Sequence, residues 1–233
     1  MKDGIVFIDN EFVSPEHASM SIFDVGFVSG DCAYDVTSTW KGWFFMLEEH
    51  LDRFLHSCDR FQLKSPYSRD EIRQICAECV ERSGFEDTYV KLQMSRGVVT
   101  DRSVDPRLSA SAFVAYAIPY VWIWGEEKCR NGANLYLSSF ERVSSRAVDQ
   151  RIKNYNRADL VQARFQALDA GCDDSILCGA DGCLTDGSGY NVLVVKNGRV
   201  ARPDYNVLEG VTRGALAELC PLENIPLQLR KTH

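Results

Sequence analysis

The chain has 233 residues, enough for one large domain or two small ones with at least one sizeable core. At 45% hydrophobic and 25% charged residues the composition is that of a soluble globular protein, with no apolar run as long as a membrane span. The net charge of -7 argues against a nucleic-acid binder, which needs a basic surface. Met1-Lys2-Asp3-Gly4 carries no apolar stretch, so a secretory signal is not expected and the chain reads as cytoplasmic. The nine cysteines form no framework and are expected to be reduced. His17, His50, His56 and His233 do not cluster with them, so no metal site is expected.

Residues 4–13 read as two short strands around Asp9-Asn10, a tight hairpin. Residues 32–39 are strand-like, and Lys41-Gly42 turns the chain into a second strand over 43–47. Leu47, Leu51, Leu55, Cys58 and Phe61 keep a helical period, which predicts a helix over 48–61. Ser68 opens another helix, with Ser68-x-x-Glu71 as a capping box and Ser83-Gly84 as its stop. In that helix Ile72, Ile75, Cys76, Cys79 and Val80 share one face, so Cys76-x-x-Cys79 reads as buried small hydrophobes rather than a metal pair. Residues 89–96 and 111–120 alternate like strands. Between them, residues 97–110 form a polar, turn-rich loop. Arg102 and Arg107 in this loop read first as surface charges, but such loops also carry function.

Residues 120–131 look like a connector. Strands are expected over 134–140, 175–178 and 190–196, and an amphipathic helix over 158–170, ending at Gly171. Asn197-Gly198 is a hairpin turn before 199–201, residues 213–220 form a last helix, and 225–230 resemble a further strand. Strands and helices thus alternate in two mixed halves, 1–119 and 125–233, joined by 120–124. That predicts mixed α/β (α+β) layers rather than a bundle or a sandwich.

Three stretches could carry chemistry. Lys153, in Arg151-Ile152-Lys153-Asn154-Tyr155-Asn156, stands between an expected strand end and a helix start. A lysine in a desolvated site can be a nucleophile. On position alone the surface-lysine reading is favoured. Thr185-Asp186-Gly187-Ser188-Gly189-Tyr190-Asn191 could let backbone approach a ligand closely, or be a plain turn. Glu209-Gly210-Val211-Thr212 enters a helix whose first N–H groups, with the Thr212 hydroxyl, suit a phosphate. The alternative is an ordinary N-cap by Thr212 or Glu209.

Taken together and in order, these stretches resemble the class IV (fold type IV) aminotransferases over nearly the whole chain. Ser21-Ile22-Phe23-Asp24-Val25-Gly26-Phe27 with Gly30-Asp31 and Tyr34-Asp35-Val36 is similar to the family's N-terminal signature. Residues 44–54 resemble the helix that brings a phosphate-binding arginine, and Lys153-Asn154-Tyr155 the cofactor lysine segment. Residues 185–192 and 208–213 resemble the two remaining cofactor-binding stretches. The resemblance implies a two-domain enzyme with pyridoxal 5'-phosphate on Lys153, whose amine would also shuttle the substrate proton. It further implies that Arg53 holds the phosphate, with Val211 and Thr212 adding donors. Asp186 would pair with the pyridine nitrogen, where the family usually has glutamate. Ser188, Gly189 and Asn191 would complete the cofactor-binding set. The family continues past the position of His233, so the C-terminal domain is expected to be incomplete, leaving an exposed sheet edge.

Within the family, Tyr34-Asp35-Val36-Thr37-Ser38-Thr39-Trp40, Ile118-Pro119-Tyr120-Val121-Trp122 and Lys153-Asn154 look most like the (R)-selective amine transaminases. Branched-chain or D-amino-acid aminotransferase and aminodeoxychorismate lyase are the alternatives. The resemblance implies ping-pong transfer from an amine or amino acid to a keto acid such as pyruvate. The side-chain pocket would draw on Tyr34, Val36, Ser38 and Trp40, which share a strand face, and Arg102 or Arg107 would pair with a carboxylate. A homodimer is implied, with no nucleic-acid or membrane partner. The competing class is a truncated, non-catalytic relative that serves as a binding protein.

Overall fold

The computed structural model describes residues 3–100 and 105–231. At the N-terminus β1 (Ile5–Ile8) pairs antiparallel with β2 (Glu11–Val13). Asp9 and Asn10 between them sit at φ 51° and 65°, the left-handed pair of a type I′ turn. This hairpin is the edge of a six-stranded antiparallel sheet. The other strands are β3 (Cys32–Trp40), β4 (Trp43–Phe44), β5 (Thr88–Ser95) and β6 (Ala112–Pro119), in the order β2-β1-β6-β5-β3-β4.

The short helix α1 (Val25–Ser29) precedes β3, while α2 (Leu47–Arg60) and α3 (Arg69–Ser83) follow β4. Both long helices cover one face of the sheet. Val90, Leu92 and Met94 of β5 join Leu51, Phe54 and Cys58 of α2 and Ile72, Ile75, Cys76 and Cys79 of α3 in one core. Full burial of side chains such as Leu51, Phe54 and Ile72 contributes about 1.5–3 kcal/mol each. Strand alternation then turns Tyr34, Val36 and Ser38 of β3 and Tyr89, Lys91 and Gln93 of β5 to the opposite face.

The ends of α3 are those expected. The Ser68 hydroxyl accepts from Glu71 N, the Glu71 carboxylate accepts from Ser68 N, and Gly84 closes the helix at φ 74°. The strand expected over 43–47 shortens to Trp43–Phe44, because Met46 at φ 47° turns the chain directly into α2. Arg96 fastens the far end of that helix, donating to the Phe61 and Gln62 carbonyls and to Asp31.

The chain divides into two units, Met1–Val121 with Ile152–Tyr155, and Trp122–Arg151 with Asn156–His233. In the second, α4 (Glu126–Asn131) is a helix inside the expected connector. It buries no residue, so it has no apolar period to betray it. A βαβ unit follows: β7 (Leu135–Glu141), α5 (Ala158–Asp169) and β8 (Asp174–Cys178), with β7 parallel to β8. Leu160 and Ala163 of α5 pack on Leu177. β9 (Leu184–Gly187) adds antiparallel to β8, completing a β7-β8-β9 sheet.

The second sheet holds β10 (Val194–Lys196), β11 (Arg199–Arg202) and β12 (Leu227–Leu229), with α6 (Val211–Leu222) between β11 and its parallel neighbour β12. Asn197 and Gly198, at φ 53° and 70°, make the expected hairpin. At one edge of the β7-β8-β9 sheet, β7 exposes Leu135 and Leu137. Among the described residues no helix is long and apolar enough to cross a membrane.

Candidate functional site

Lys153 lies in no strand or helix. Long-range hydrogen bonds hold it instead. Its carbonyl accepts from Tyr34 N at 2.9 Å, its N–H donates to the Ser57 hydroxyl at 3.2 Å, and Asn154 bridges to Ala33. Ile152 and Asn154 on either side are buried, and Asn154 donates its amide back to the Ile152 carbonyl. The backbone of Lys153 is thus pinned to β3 and α2, and its half-buried side chain places Nζ 4.8 Å from the centroid of the Tyr34 ring. An amine held on a rigid base and partly removed from water suits nucleophilic and proton-transfer chemistry.

The face beneath it is rich in tyrosine. Tyr155 packs on Tyr34 with the rings tilted by 33° and centroids 4.8 Å apart, and it donates its hydroxyl to Gln93. Tyr89 and Tyr116 stack at 6.3 Å. Lys91 Nζ is 4.8 Å from the ring centroids of both Tyr34 and Tyr155. Burial pushes the phenols of Tyr155 and Tyr116 up, so both stay protonated at neutral pH.

On the helix side of β3, Asp35 is fully buried. Arg53 donates to it from Nε at 2.7 Å and Nη2 at 2.8 Å, and His50 Nδ1 lies 2.7 Å from Oδ1. Burial alone would raise the Asp35 pKa. The hydrogen bonds from Arg53 and His50 and the Arg53 charge outweigh it and hold the carboxyl below its ordinary range. Arg53, read from the sequence as the phosphate arginine, therefore meets Asp35 through two donors of its fork. His50 and Arg53 stand three residues apart on one face of α2, and Asp35 points at that face by strand alternation. That spacing was the available signal for Asp35 and His50, which sequence reasoning had not singled out. For Lys91 the signal was a charge inside an alternating strand.

In the second unit, Asp186 is buried at the end of β9. It accepts from the Asn191 amide at 2.7 Å and from Leu208 N at 2.9 Å. Burial pushes its carboxyl up from the ordinary range, against those two donors and the charges of Arg142 and Arg213. Asn191 also donates to the Leu208 carbonyl. Its side chain passes over Gly210, where an added Cβ would lie 1.8 Å from Asn191 Oδ1. Gly210 is the N-cap of α6, and no side chain caps that end. The first turn, with Val211 and Thr212, thus begins without the N-cap that Thr212 or Glu209 could have supplied.

Ser188 donates to Asp174 at 2.7 Å, and its carbonyl accepts from Arg157. Gly189 has the Ile123 side chain 3.6 Å from where its Cβ would be.

The remaining expected pocket residues divide. Tyr34 is buried and lies against Lys153, Val36 and Ser38 are half-buried on the same face, and Trp40 is 53% exposed at the strand end beside Tyr120. Arg107 is exposed and paired with Asp105, and Arg102 lies outside the described residues. Cys76 and Cys79 are both fully buried in the core, as their helical spacing predicted.

The sequence matches the family described as amino-transferase class IV over residues 33–233. It is 29% identical over 223 residues to a putative branched-chain-amino-acid aminotransferase of Methanocaldococcus jannaschii, covering 94% of this chain and 76% of that one. It is 28% identical over 226 residues to a D-alanine aminotransferase of Staphylococcus aureus, covering 96% and 78%. Among solved structures, the T.th. branched-chain amino acid aminotransferase with pyridoxamine 5'-phosphate superposes with a TM-score of 0.90 at 26% identity, over all of this chain and 79% of that one. With the fold type, the order of the motifs and the family match in agreement, the chain belongs to the class IV aminotransferases.

Proposed function

We propose that the chain transfers an amino group from an amine or amino acid to a keto acid such as pyruvate by a ping-pong mechanism, with pyridoxal 5'-phosphate held on Lys153. The observation that carries this reading is the pinned backbone of Lys153 with its amine on the Tyr34 ring, 4.8 Å from the centroid. The donor set fits the cofactor. Asp186 is a buried carboxyl supplied by an amide and a backbone N–H, and burial pushes its pKa up. A cationic ring N–H is the kind of partner that would hold it ionised. The start of α6 has no side-chain cap, which suits a phosphate.

When bound, the cofactor supplies a carbonyl for the amine and a ring that withdraws electrons from the substrate's amino-bearing carbon. Lys153 would hold it covalently and, once released, move a proton at that carbon. Arg53, Val211 and Thr212 would hold the phosphate, with Ser188, Gly189 and Asn191 shaping the ring's surroundings. Asp35 would orient Arg53 through its two hydrogen bonds. Tyr34, Val36, Ser38 and Trp40 would form the side-chain wall, and Arg102 or Arg107 would meet a carboxylate. The half-buried Val36 and aromatic Tyr34 of that wall suit an apolar substituent, which supports an (R)-amine donor. The names of the relatives favour branched-chain or D-amino acids instead. A homodimer is the proposed assembly.

The test is to load the chain with pyridoxal phosphate, remove the excess and record the visible spectrum before and after (R)-1-phenylethylamine. Decay of the lysine-bound band to a pyridoxamine-type band supports the amine reading. A response only to D-alanine or L-leucine moves the donor to amino acids. Lys153→Ala should form no such band, and an unchanged band in that variant refutes the assignment of Lys153.

A further inference from the structure

Asp174 opens β8 and is fully buried. A carboxyl in that setting is costly unless hydrogen bonds replace its water. Here three neutral groups donate to it, and they come from three parts of the second unit. Ser175 N donates to Oδ1 at 2.8 Å, within β8 itself. The Ser188 hydroxyl donates to Oδ2 at 2.7 Å, and the Trp124 indole Nε1 donates to the same oxygen at 3.3 Å. Trp124 lies ahead of α4, and Ser188 lies just past β9. An apolar side chain would fill this space without the desolvation cost. What the carboxyl adds is a fixed point, on a strand, that two segments distant in sequence share.

Ser188 belongs to the stretch 187–190, which joins Asp186 to Asn191. The ends of that stretch are tied together. Gly187 N donates to the Tyr190 carbonyl, and the Asn191 amide donates to Asp186. The Tyr190 ring lies over Gly187, where an added Cβ would come within 2.1 Å of it. Its hydroxyl donates to the Ser175 carbonyl at 2.8 Å, and the ring meets Trp124 edge-on with centroids 4.8 Å apart. The neighbours Asp174 and Ser175 thus receive the side chains of Ser188 and Tyr190, one each.

We propose that Asp174 is a positioning residue for the cofactor site: by taking the Ser188 hydroxyl it sets the path of the backbone from Asp186 to Asn191, and with it the Asn191 donor on Asp186. Ser188 then borders the cofactor with its backbone, its hydroxyl being given to Asp174. Asp174 itself touches no reacting atom. The inference rests on the reading of Lys153 and Asp186 as cofactor residues.

The experiment is a double-mutant cycle read on pyridoxal phosphate binding. Equilibrium dialysis gives the dissociation constant for the full chain, for Asp174→Ala, for Ser188→Ala and for the pair. Each single change should weaken binding by about tenfold, the scale of one buried hydrogen bond. Both changes break the same bond, so the pair should bind within about threefold of the weaker single variant. Losses that multiply to about a hundredfold overturn the proposal, because Asp174 and Ser188 would then act separately. Binding by Ser188→Ala within about twofold of the original overturns it too.

A second readout uses the bare chain. Trp124 is one of four tryptophans, and its indole N–H resonance in a nitrogen-15 spectrum is identified by its loss in Trp124→Phe. Ser188→Ala should move that resonance, because the hydroxyl and the indole share Oδ2. If Asp174→Ala does not fold, Ser188→Ala alone decides. A moved resonance together with weakened binding is expected, and either one without the other overturns the proposal.

Borohydride reduction of the loaded, unsubstituted chain tests the underlying reading separately. Absence of a pyridoxyl group on the Lys153 peptide defeats that reading and the inference with it. A labelled Lys153 with multiplying losses defeats the inference alone.

Discussion

Asp35→Asn removes the charge under Arg53 and keeps the shape. Asp35 is fully buried and accepts two donors from Arg53 at 2.7 and 2.8 Å, with His50 Nδ1 at 2.7 Å. Taking away one partner of a buried pair costs about 3–5 kcal/mol, because the other charge is left without its counter-ion. Here the Arg53 side chain keeps 12% exposure, and the Asn oxygen still accepts one N–H. The expected loss is therefore about 2–3 kcal/mol, or a Tm lower by about 4–12 °C in a chain of this size. Urea unfolding followed by circular dichroism measures it. The pH arm supplies the sign. The folded-state pKa of Asp35 is depressed, so its contribution is present above the unfolded value near pH 4 and is lost as pH falls through the folded one. The gap between the original and Asp35→Asn should close below about pH 4. A loss under about 1 kcal/mol, or a gap that does not close in acid, refutes the reasoning. In a cycle with Arg53→Met, the two losses should be strongly non-additive.

Three further outcomes follow from local geometry. Gly210→Ala puts a Cβ 1.8 Å from Asn191 Oδ1 at a φ of −68° that alanine tolerates, so Asn191 must move and Asp186 loses a donor. We expect a loss of about 1–2 kcal/mol and weaker retention of pyridoxal phosphate on gel filtration; full retention would count against the Asn191–Asp186 arrangement. Ser68→Ala breaks the capping box of α3 and should cost about 1 kcal/mol in urea unfolding, whereas no change would mean the cap is redundant. Burial pushes Cys79 up to about 12 and Cys76 higher still, so at pH 8 Ellman's reagent should reach neither before unfolding and should take the exposed Cys129 first; rapid native labelling of Cys76 or Cys79 would show that this core opens.

Much of the fold was legible because it depends on local pattern. The Asp9-Asn10 turn, the apolar period of α2 and both ends of α3 are set by neighbours within a few residues. The elements misjudged are those where a distant contact overrides the pattern. The stretch 184–187 reads as a turn because of its Thr, Asp and Gly, yet it forms β9, where the Thr185 hydroxyl donates to the Leu177 carbonyl and the strand pairs with β8. Residues 190–193 alternate as a strand should. They loop instead, because Gly187 N donates to the Tyr190 carbonyl and the Tyr190 hydroxyl reaches the Ser175 carbonyl.

The site divides along the same line. The motifs around Lys153 and Asp186 could be read as residue types in order, but their setting could not. Lys153 lies between the end of β7 and the start of α5, as expected, but what holds it is elsewhere: β3 and the Ser57 hydroxyl of α2, about a hundred residues away in sequence. A residue held this way takes its environment from the sheet face it lies on, so its chemistry is written in β3, β5 and β6 as much as in its own segment. The aromatic wall of Tyr34, Tyr116 and Tyr155 is therefore part of the setting of that lysine. Substitution at Tyr155, whose ring packs on Tyr34, should alter the reactivity of Lys153 while leaving its backbone anchors intact, since those anchors are made by Tyr34 N, Ser57 and Ala33.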